Sequence, residues 1–272
     1  MSVSFLFWNV FKKPLQPRVA RLASVHSVDV LMLAECGEVS PGSVLEALNT
    51  PETQAYSHHD APGAKVRIFS RFSDAAVEHR FNDPLGALSI WELKVGRYPG
   101  VLLAVVHLPG KINWERDDQT LQATTFARDI ARTEDEVGHL RTVLVGDLNM
   151  HPFDPGCAGA NALHGVMATT IARKRDRVVR GAEFRYFYNP MWGCFGDRTP
   201  GPPGSYYLSS SKPLNYFWAM YDQVLLRPDL MDTLVELRVL DNDGTTSLLT
   251  RDGLPRTSNG SDHLPILFRL DL

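Results

Sequence analysis

Residues 142–149 read Thr-Val-Leu-Val-Gly-Asp-Leu-Asn, an apolar run that leads directly into Asp147 and Asn149. A short, nearly continuous apolar run of this kind is typical of a strand that is covered on both faces. Polar side chains beside such a strand need water, a partner or a cation, because an unpaired buried polar group is costly. The stretch therefore predicts a buried strand with chemically important residues at its end.

The same arrangement recurs along the chain. Further apolar runs occupy residues 3–8, 30–34, 101–106 and 224–226. Polar residues that stand at the ends of these runs, or just before the last run at residues 264–270, are Asn9, Glu35, His107, Asp222, Asp262 and His263. Because strand ends of layered α/β proteins converge on a single crevice, we expect these residues to share one site.

Helical patterns lie between the apolar runs. Leu15, Val19, Leu22 and Ala23 share one helical face around Pro17, and a second face with Ala123 and Ile130 follows two aspartates. After residue 180 the chain is rich in Gly, Pro and aromatic residues, which favours long loops. The order of strand, helix and strand predicts an α/β fold.

Length and composition suit one domain. A chain of 272 residues with 44% hydrophobic content can bury a large core, so we expect residues 1–272 to form a single catalytic domain. Neither a signal peptide nor an apolar stretch of membrane-spanning length is apparent. Three dispersed cysteines suit a reducing compartment. These features predict a soluble, cytoplasmic protein without a membrane span.

The charge of the chain does not by itself indicate a nucleic-acid binder. Its formal net charge is −3, whereas proteins that hold phosphate backbones usually carry a basic surplus. A local basic patch could still serve, and residues 173–177 with Arg180 are one candidate. Such a run is more often a solvated face.

The polar residues at the strand ends favour a hard divalent cation. Asp, Glu and Asn offer oxygen atoms, and oxygen donors favour Mg²⁺ or Mn²⁺. Mg²⁺ typically bridges protein carboxylates to a substrate phosphate and offsets charge in the transition state. Phosphoester hydrolysis is therefore the leading reaction class.

Six short segments resemble the motifs of the endonuclease/exonuclease/phosphatase superfamily, which has the DNase I-like fold, and they occur in the superfamily's order. They are Phe7-Trp8-Asn9-Val10, Leu33-Ala34-Glu35, Val106-His107-Leu108-Pro109, Gly146-Asp147-Leu148-Asn149, Tyr221-Asp222-Gln-Val-Leu and Ser261-Asp262-His263-Leu-Pro265. Any one alone is weak, but six in order over nearly the whole chain are specific. The resemblance implies a four-layered αββα sandwich, in which two mixed sheets pack together between helices.

The resemblance also implies roles at the active site. Glu35 and Asp262 would hold Mg²⁺, which Mn²⁺ could replace, and Asn9 would support the metal in its first or second shell. Asp147 and Asn149 would position the attacking water and a phosphate oxygen. His263 would contact the phosphate or exchange a proton with the water.

Two further residues complete the implied site. Asp222 would orient His263 by fixing the tautomer of its imidazole. His107 stands where family members place a His or Tyr near the leaving group. His151, beside the Asp147 loop, is a weaker candidate for substrate contact; we expect it to be a surface or loop residue.

At several positions the sequence differs from the motifs of the repair nucleases in this superfamily. Phe11 stands where several repair nucleases have an acid that supports the metal, and Gly110 stands where they often place a phosphate-binding Asn. The segment before Asp222 also lacks the signature of inositol polyphosphate 5-phosphatases. These differences count against close similarity to abasic-site endonucleases and to that phosphatase group.

Three functions remain open from the sequence. The first is a nuclease acting on DNA or RNA, with stacking aromatic residues among Tyr206, Tyr207, Tyr216, Phe217 and Trp218. The second is a phosphatase or phosphodiesterase acting on a nucleotide, a lipid head group or another small ester. The third is a binding module that keeps the fold without turnover, although such a module has no chemical need for the complete set of motifs.

Overall fold

The structure is a computed structural model that describes residues 1–50, 55–96, 99–110 and 114–272. Within these residues the strands are β1 (Ser2–Asn9), β2 (Val30–Ala34), β3 (Ser57–His59), β4 (Val66–Ser70), β5 (Val77–Asn82), β6 (Leu88–Leu93), β7 (Val101–His107), β8 (Thr142–Asp147), β9 (Gly165–Val166), β10 (Asp176–Val179), β11 (Ala182–Arg185), β12 (Phe187–Tyr188), β13 (Tyr206–Tyr207), β14 (Trp218–Ala219), β15 (Asp222–Leu226), β16 (Leu234–Val239) and β17 (Ile266–Asp271). The helices are α1 (Gln16–Val25), α2 (Pro41–Leu48), α3 (Arg116–Val137), α4 (Pro155–Ala158) and α5 (Thr169–Ala172), with 3₁₀ turns at Asp74–Ala76, Pro190–Cys194 and Pro228–Thr233.

Two large mixed sheets organise this part of the chain. The first has the strand order β16-β17-β1-β2-β4-β3, and the second has the order β5-β6-β7-β8-β15-β12-β9. β1 runs parallel to β2 and antiparallel to β17, so the last strand lies between β1 and β16. β7 and β8 are parallel, and β15 is antiparallel to β8. The predicted runs at residues 3–8, 30–34, 101–106, 143–145 and 224–226 all lie in these strands.

Side chains alternate between two cores. On β7, Leu103 and Val105 pack towards the first sheet, in a core that also contains residues of α1 and α2. Leu102 and Ala104 face the other way and join Phe126 of α3 in a second core. The order of layers is helix, sheet, sheet and helix. This order is expected because each sheet has two apolar faces, and each face must be covered by another layer. The predicted αββα sandwich is confirmed.

The two predicted helices are present. Pro17 lies in the first turn of α1, where its missing N–H breaks no hydrogen bond. α3 begins with a capping box between Glu115 and Asp118 and ends at Gly138, whose φ of 77° closes the helix.

The chain after residue 180 contains more structure than the expected loops. β10 and β11 form a hairpin across that point, and the Tyr206-Tyr207 pair forms β13 against β14. The Gly201-Pro-Pro-Gly204 segment does lie outside the strands. Short strands without a long apolar run carry little sequence signal, which explains the difference.

The basic run beside this hairpin is partly neutralised. Arg173 lies 2.6 Å from Asp232, and Arg175 lies 2.5 Å from Asp229. No helix in the described ranges is both long enough and apolar enough to cross a membrane. All three cysteines are free thiols.

Candidate active site

The strands of both sheets bring their polar ends to one edge of the sandwich. β1 ends at Asn9, and Glu35 directly follows its parallel neighbour β2. On the second sheet, Asp147 is in register with His107 on one side and with Asp222 on the other. Neighbouring strands in register place these side chains within reach of one another.

Hydrogen bonds fix the segment at residues 261–263 against β1. The Ser261 hydroxyl donates to the Asn9 carbonyl oxygen at 2.6 Å. The indole nitrogen of Trp8 donates to the His263 carbonyl oxygen at 2.9 Å. Two residues of β1 therefore determine where Asp262 and His263 stand.

Asn9 connects the two sheets through its side-chain amide. Its nitrogen donates to Glu35 Oε1 at 3.2 Å and to Asp147 Oδ2 at 3.1 Å. Its Oδ1 accepts a hydrogen bond from the Phe11 backbone nitrogen at 3.0 Å. Asn9 thus holds two carboxylates at a fixed separation, and its oxygen already has one partner.

His107 contacts the same two carboxylates. Its Nε2 lies 3.3 Å from Glu35 Oε1 and 3.9 Å from Asp147 Oδ2. The hydrogen bond from His107, together with that from Asn9, outweighs burial and lowers the pKa of Glu35 to about 2. Glu35 is therefore a carboxylate at neutral pH, as a metal ligand must be.

His263 is buried between two aspartates. Its Nδ1 lies 2.8 Å from Asp222 Oδ2, and its Nε2 lies 3.8 Å from Asp147 Oδ2. Burial alone lowers the pKa of His263, but the charges of Asp222 and Asp147 outweigh burial and raise it above its usual range. Burial and the nearby Asp222 raise the pKa of Asp147. The pair of Asp222 and His263 has the geometry of an oriented acid or base.

Strained backbone positions two of the side chains. Glu35 has a φ of 51° and Asn149 a φ of 49°, in the left-handed region that residues with a side chain rarely adopt. Asn149 is held there by its backbone nitrogen, which donates to Asp147 Oδ1 at 2.9 Å, and by its side-chain nitrogen, which donates to the Leu108 oxygen at 2.8 Å. Gly146 precedes Asp147 with a φ of 146°, and a Cβ there would lie 1.9 Å from the Val106 oxygen. Only glycine fits this point of β8.

The acids at this edge fit a divalent cation. Burial raises the pKa of Asp262, and the charge of Glu35 raises it further although His263 opposes the shift. Two half-buried carboxylates that repel each other in this way are stabilised by a cation between them. Ligand atoms of Asp147, Asp222 and His263 also lie within 4.8 Å of one another. In that second cluster, His263 and Asp222 are already joined by a hydrogen bond of 2.8 Å.

The structure brings all eight predicted residues together. Direct contacts link Asn9, Glu35, His107, Asp147, Asn149, Asp222 and His263, and Asp262 adjoins His263 in the chain and interacts electrostatically with Glu35. None of them lies elsewhere in the fold. Their individual roles stay predictions.

Aromatic rings beside the site were only partly foreseen. Tyr206 packs on His263 with a ring distance of 4.6 Å and stacks on Tyr221 at 5.3 Å. His151 lies in a loop, one of the two places expected for it, but it is buried there and stacks on Phe153. Phe153 was missed because one Phe in a Pro-containing loop gives no periodic signal; only its position four residues after Asn149 could have drawn attention to it.

The sequence profile of the "Endonuclease/Exonuclease/phosphatase family" matches residues 6–263. The chain belongs to this family. The family prediction is thereby confirmed, and with it a function in phosphoester hydrolysis that depends on a divalent metal. A comparison with curated proteins found no match.

Solved structures share the fold at low sequence identity. TDP2 from D. rerio, complexed with a single-strand DNA product, aligns with a TM-score of 0.58 and 15% identity over 100% of this chain and 99% of its own. An AP endonuclease from Archaeoglobus fulgidus gives 0.57 and 12% over 99% and 100%. The 3′ phosphatase NExo from Neisseria, bound to a product DNA hairpin, gives 0.55 and 17% over 99% and 100%. At sequence identities this low, the structural similarity supports the fold of this protein.

Proposed function

We propose that this family member is a Mg²⁺-dependent phosphodiesterase that cleaves DNA or RNA. The observation that carries the proposal is the continuous network from Glu35 through Asn9 and Asp147 to His263 and Asp222, which joins both sheets at one edge. The printed descriptions of the structural neighbours, two of which hold DNA products, support nucleic acid as the substrate class.

Glu35 and Asp262 are the proposed ligands of Mg²⁺, and Mn²⁺ is expected to substitute. Both side chains offer hard oxygen atoms, and Glu35 is charged at neutral pH. Asn9 supports this pair by holding Glu35 in place through its amide nitrogen. When bound, the cation offsets the negative charge that develops on the phosphate.

Asp147 and Asn149 are proposed to orient the attacking water and a phosphate oxygen. Asp147 Oδ2 faces Asn9, His107 and His263, whereas Oδ1 is held by the Asn149 backbone. The raised pKa of Asp147 suits a group that accepts a proton from the water. The Asn149 side-chain nitrogen is held by Leu108, which fixes the amide beside the carboxylate.

His263 and His107 are proposed to act on the phosphate from two directions. Asp222 holds Nδ1 of His263, so Nε2 is the nitrogen that points towards Asp147 and the reacting phosphate. A protonated His263 would donate to a phosphate oxygen and stabilise the charge that develops there. His107, on the neighbouring strand, is the proposed donor to the departing oxygen.

A phosphoester screen with matched variants tests this proposal. Oligonucleotides of DNA and RNA would be incubated with Mg²⁺ or Mn²⁺, with EDTA as the metal-free arm. We expect cleavage by the wild type and losses of about 10²–10⁴-fold in Glu35→Gln and His263→Asn. Asp135→Asn, a change at an exposed carboxylate on α3, is the matched control and should retain activity. Intact substrates in every metal arm would contradict the proposal.

A small phosphoester is the second candidate substrate. The net charge of −3 and the pairing of Arg173 and Arg175 with aspartates leave this part of the surface without a strong basic patch. Parallel assays with a chromogenic phosphodiester, a phosphomonoester and an oligonucleotide separate the two candidates. A kcat/KM that is highest for a small ester would select the second.

Two broader expectations accompany the proposal. We propose that residues 1–272 work as one catalytic domain, because β1, which ends at Asn9, pairs within one sheet with β17, which closely follows Asp262 and His263. A cytoplasmic location also stays a prediction, and the three free thiols support it.

A further inference from the structure

A row of aromatic rings leads from the proposed active site to the protein surface. It starts at Tyr206, which packs on His263, and continues through Tyr221 to His151 at ring distances of 5.3 Å for each step. His151 then stacks on Phe153 at 4.7 Å, with their planes 8° apart. The row therefore connects the reacting centre to an exposed ring.

The outer end of the row is open to solvent. Phe153 is 40% exposed and Tyr216, whose ring lies 5.8 Å from it, is 56% exposed. The buried ring of His151 stacks on one face of Phe153, and the rings of Trp192 and Phe195 lie 6.0 and 6.2 Å away, yet part of Phe153 stays exposed. Exposed apolar side chains that adjoin one another in a patch mark binding sites more than singly scattered ones do.

We infer that Phe153 and Tyr216 form a stacking subsite for an unpaired base of a nucleic-acid strand whose backbone phosphate lies at His263. The inference rests on the proposed nuclease function and narrows its substrate to single-stranded or locally unpaired nucleic acid. A base inside a duplex has both faces covered by its neighbours, so only an unpaired base can extend the stack of His151 and Phe153.

The net charge of the chain favours a single strand over a duplex as the ligand of this subsite. With a net charge of −3 and two arginines of its basic run already paired, the protein has little to bind a duplex backbone by counterion release. Stacking tolerates any base, because every base has a π-face. The subsite is therefore expected to add affinity through the base as well as through the backbone.

Matched single strands test the inference. An oligothymidylate, the same backbone with abasic spacers, and the oligothymidylate paired to its complement would be compared by kcat/KM. Stacking of one base on an aromatic ring is expected to favour the base-bearing single strand by about tenfold or more. Phe153→Ala and Tyr216→Ala should each remove most of that preference and leave cleavage of the abasic strand unchanged.

Two further variants control for the loss of apolar surface. Phe153→Trp retains an aromatic face and should restore the preference. Leu214→Ala removes an apolar side chain that is 72% exposed near Tyr216 and should leave the preference intact. Equal losses on both single strands, an unchanged preference in Phe153→Ala, or a loss of the same size in Leu214→Ala would overturn the inference.

A binding measurement separates this inference from the proposed function. Quenching of a 2-aminopurine base in a single strand, measured in EDTA so that turnover is prevented, reports stacking without cleavage. Quenching by the wild type that is lost in Phe153→Ala supports the subsite even if no nucleic acid is cleaved. Cleavage without such quenching would support the nuclease function and reject the subsite.

Discussion

Asp222 influences the site through the imidazole that it holds. Its Oδ2 contacts His263 Nδ1, while its other oxygen, Oδ1, is buried and has no hydrogen-bond partner within the described residues. A buried carboxylate that contacts an imidazole stabilises the protonated form of that imidazole. The charge of Asp222 and its hydrogen bond therefore raise the pKa of His263. Its removal should therefore affect chemistry more than substrate binding.

Asp222→Asn tests this positioning role. The amide keeps the size of the side chain but removes the charge, so His263 should lose its preferred protonation state and orientation. We expect kcat to fall by about 10²–10⁴-fold, with a much smaller change in KM. Steady-state kinetics on the preferred oligonucleotide provides the measurement. A rise in KM at unchanged kcat would instead assign Asp222 to substrate binding.

Some features of the individual site residues could be predicted from the sequence, and others could not. Asn9, Glu35, His107 and Asp147 could be placed together because each stands at the end of an apolar run, and strand ends converge. The left-handed backbone of Glu35 could not be foreseen, since no local pattern marks a Glu for positive φ.

At the scale of elements, buried ion pairs tie α1 to the loop after β16. Asp243 has no exposed side-chain surface, accepts a hydrogen bond from Arg21 at 2.9 Å and lies 3.7 Å from Arg18. Backbone and hydroxyl groups of Thr245 and Thr246 donate to its other oxygen. Burial raises the pKa of Asp243, but these hydrogen bonds outweigh burial and lower it to about 2.

This contact predicts a specific loss of stability in acid. The folded-state pKa of Asp243 lies below the ordinary value of 3.8, so its contribution to the free energy of unfolding is complete above about pH 4. The contribution is lost as the pH falls towards about 2. Asp243→Asn should lower stability at neutral pH by about 1–3 kcal/mol and should lose less on acidification than the wild type. Urea unfolding at several pH values checks this.

An exposed aspartate provides the control for that experiment. Asp271 is 65% exposed in its side chain and contacts the terminal ammonium group at 3.4 Å. Asp271→Asn should follow the acid profile of the wild type, because exposed ion pairs contribute little. If both variants gave the wild-type profile, the contact between α1 and this loop would not be a source of acid sensitivity.

Seven of the strands that the sequence missed share one property, whereas β5, β6 and β16 were missed although each has six residues. β3 and β9 to β14 have at most four residues each and lack a continuous apolar run, whereas the central strands were found from their composition. Short strands form because neighbouring chain segments supply partners, as Leu226 of β15 does for Tyr188 of β12. Such pairing depends on tertiary structure, so single-sequence patterns could not reveal it.

For the whole molecule, the proposed metal would connect two segments of the first sheet at the edge where that sheet meets the second. Glu35 follows a strand of the first sheet and Asp262 precedes β17 of that sheet, while Asp147 and Asp222 belong to the second sheet. Binding to the folded chain alone stabilises it by mass action. Mg²⁺ at about 100 times its Kd should add roughly 2.7 kcal/mol and raise Tm by about 5 °C or more.

Differential scanning calorimetry with and without Mg²⁺ measures this effect. Glu35→Gln and Asp262→Asn should each reduce the shift in Tm, and the exposed-site variant Asp135→Asn should retain it. A shift of equal size in all four proteins would place the stabilising ion elsewhere on the surface.

The position of β17 inside the first sheet, between β16 and β1, has a consequence for protein synthesis. β1 leaves the ribosome long before β17, so one of its two edges stays uncovered until residues 266–271 emerge, and Asp262 and His263 arrive only just before them. A nascent chain therefore lacks both the completed sheet and the proposed cation site throughout most of translation. Translation products that stop short of this strand should be unable to damage the messenger RNA or any other nucleic acid around them.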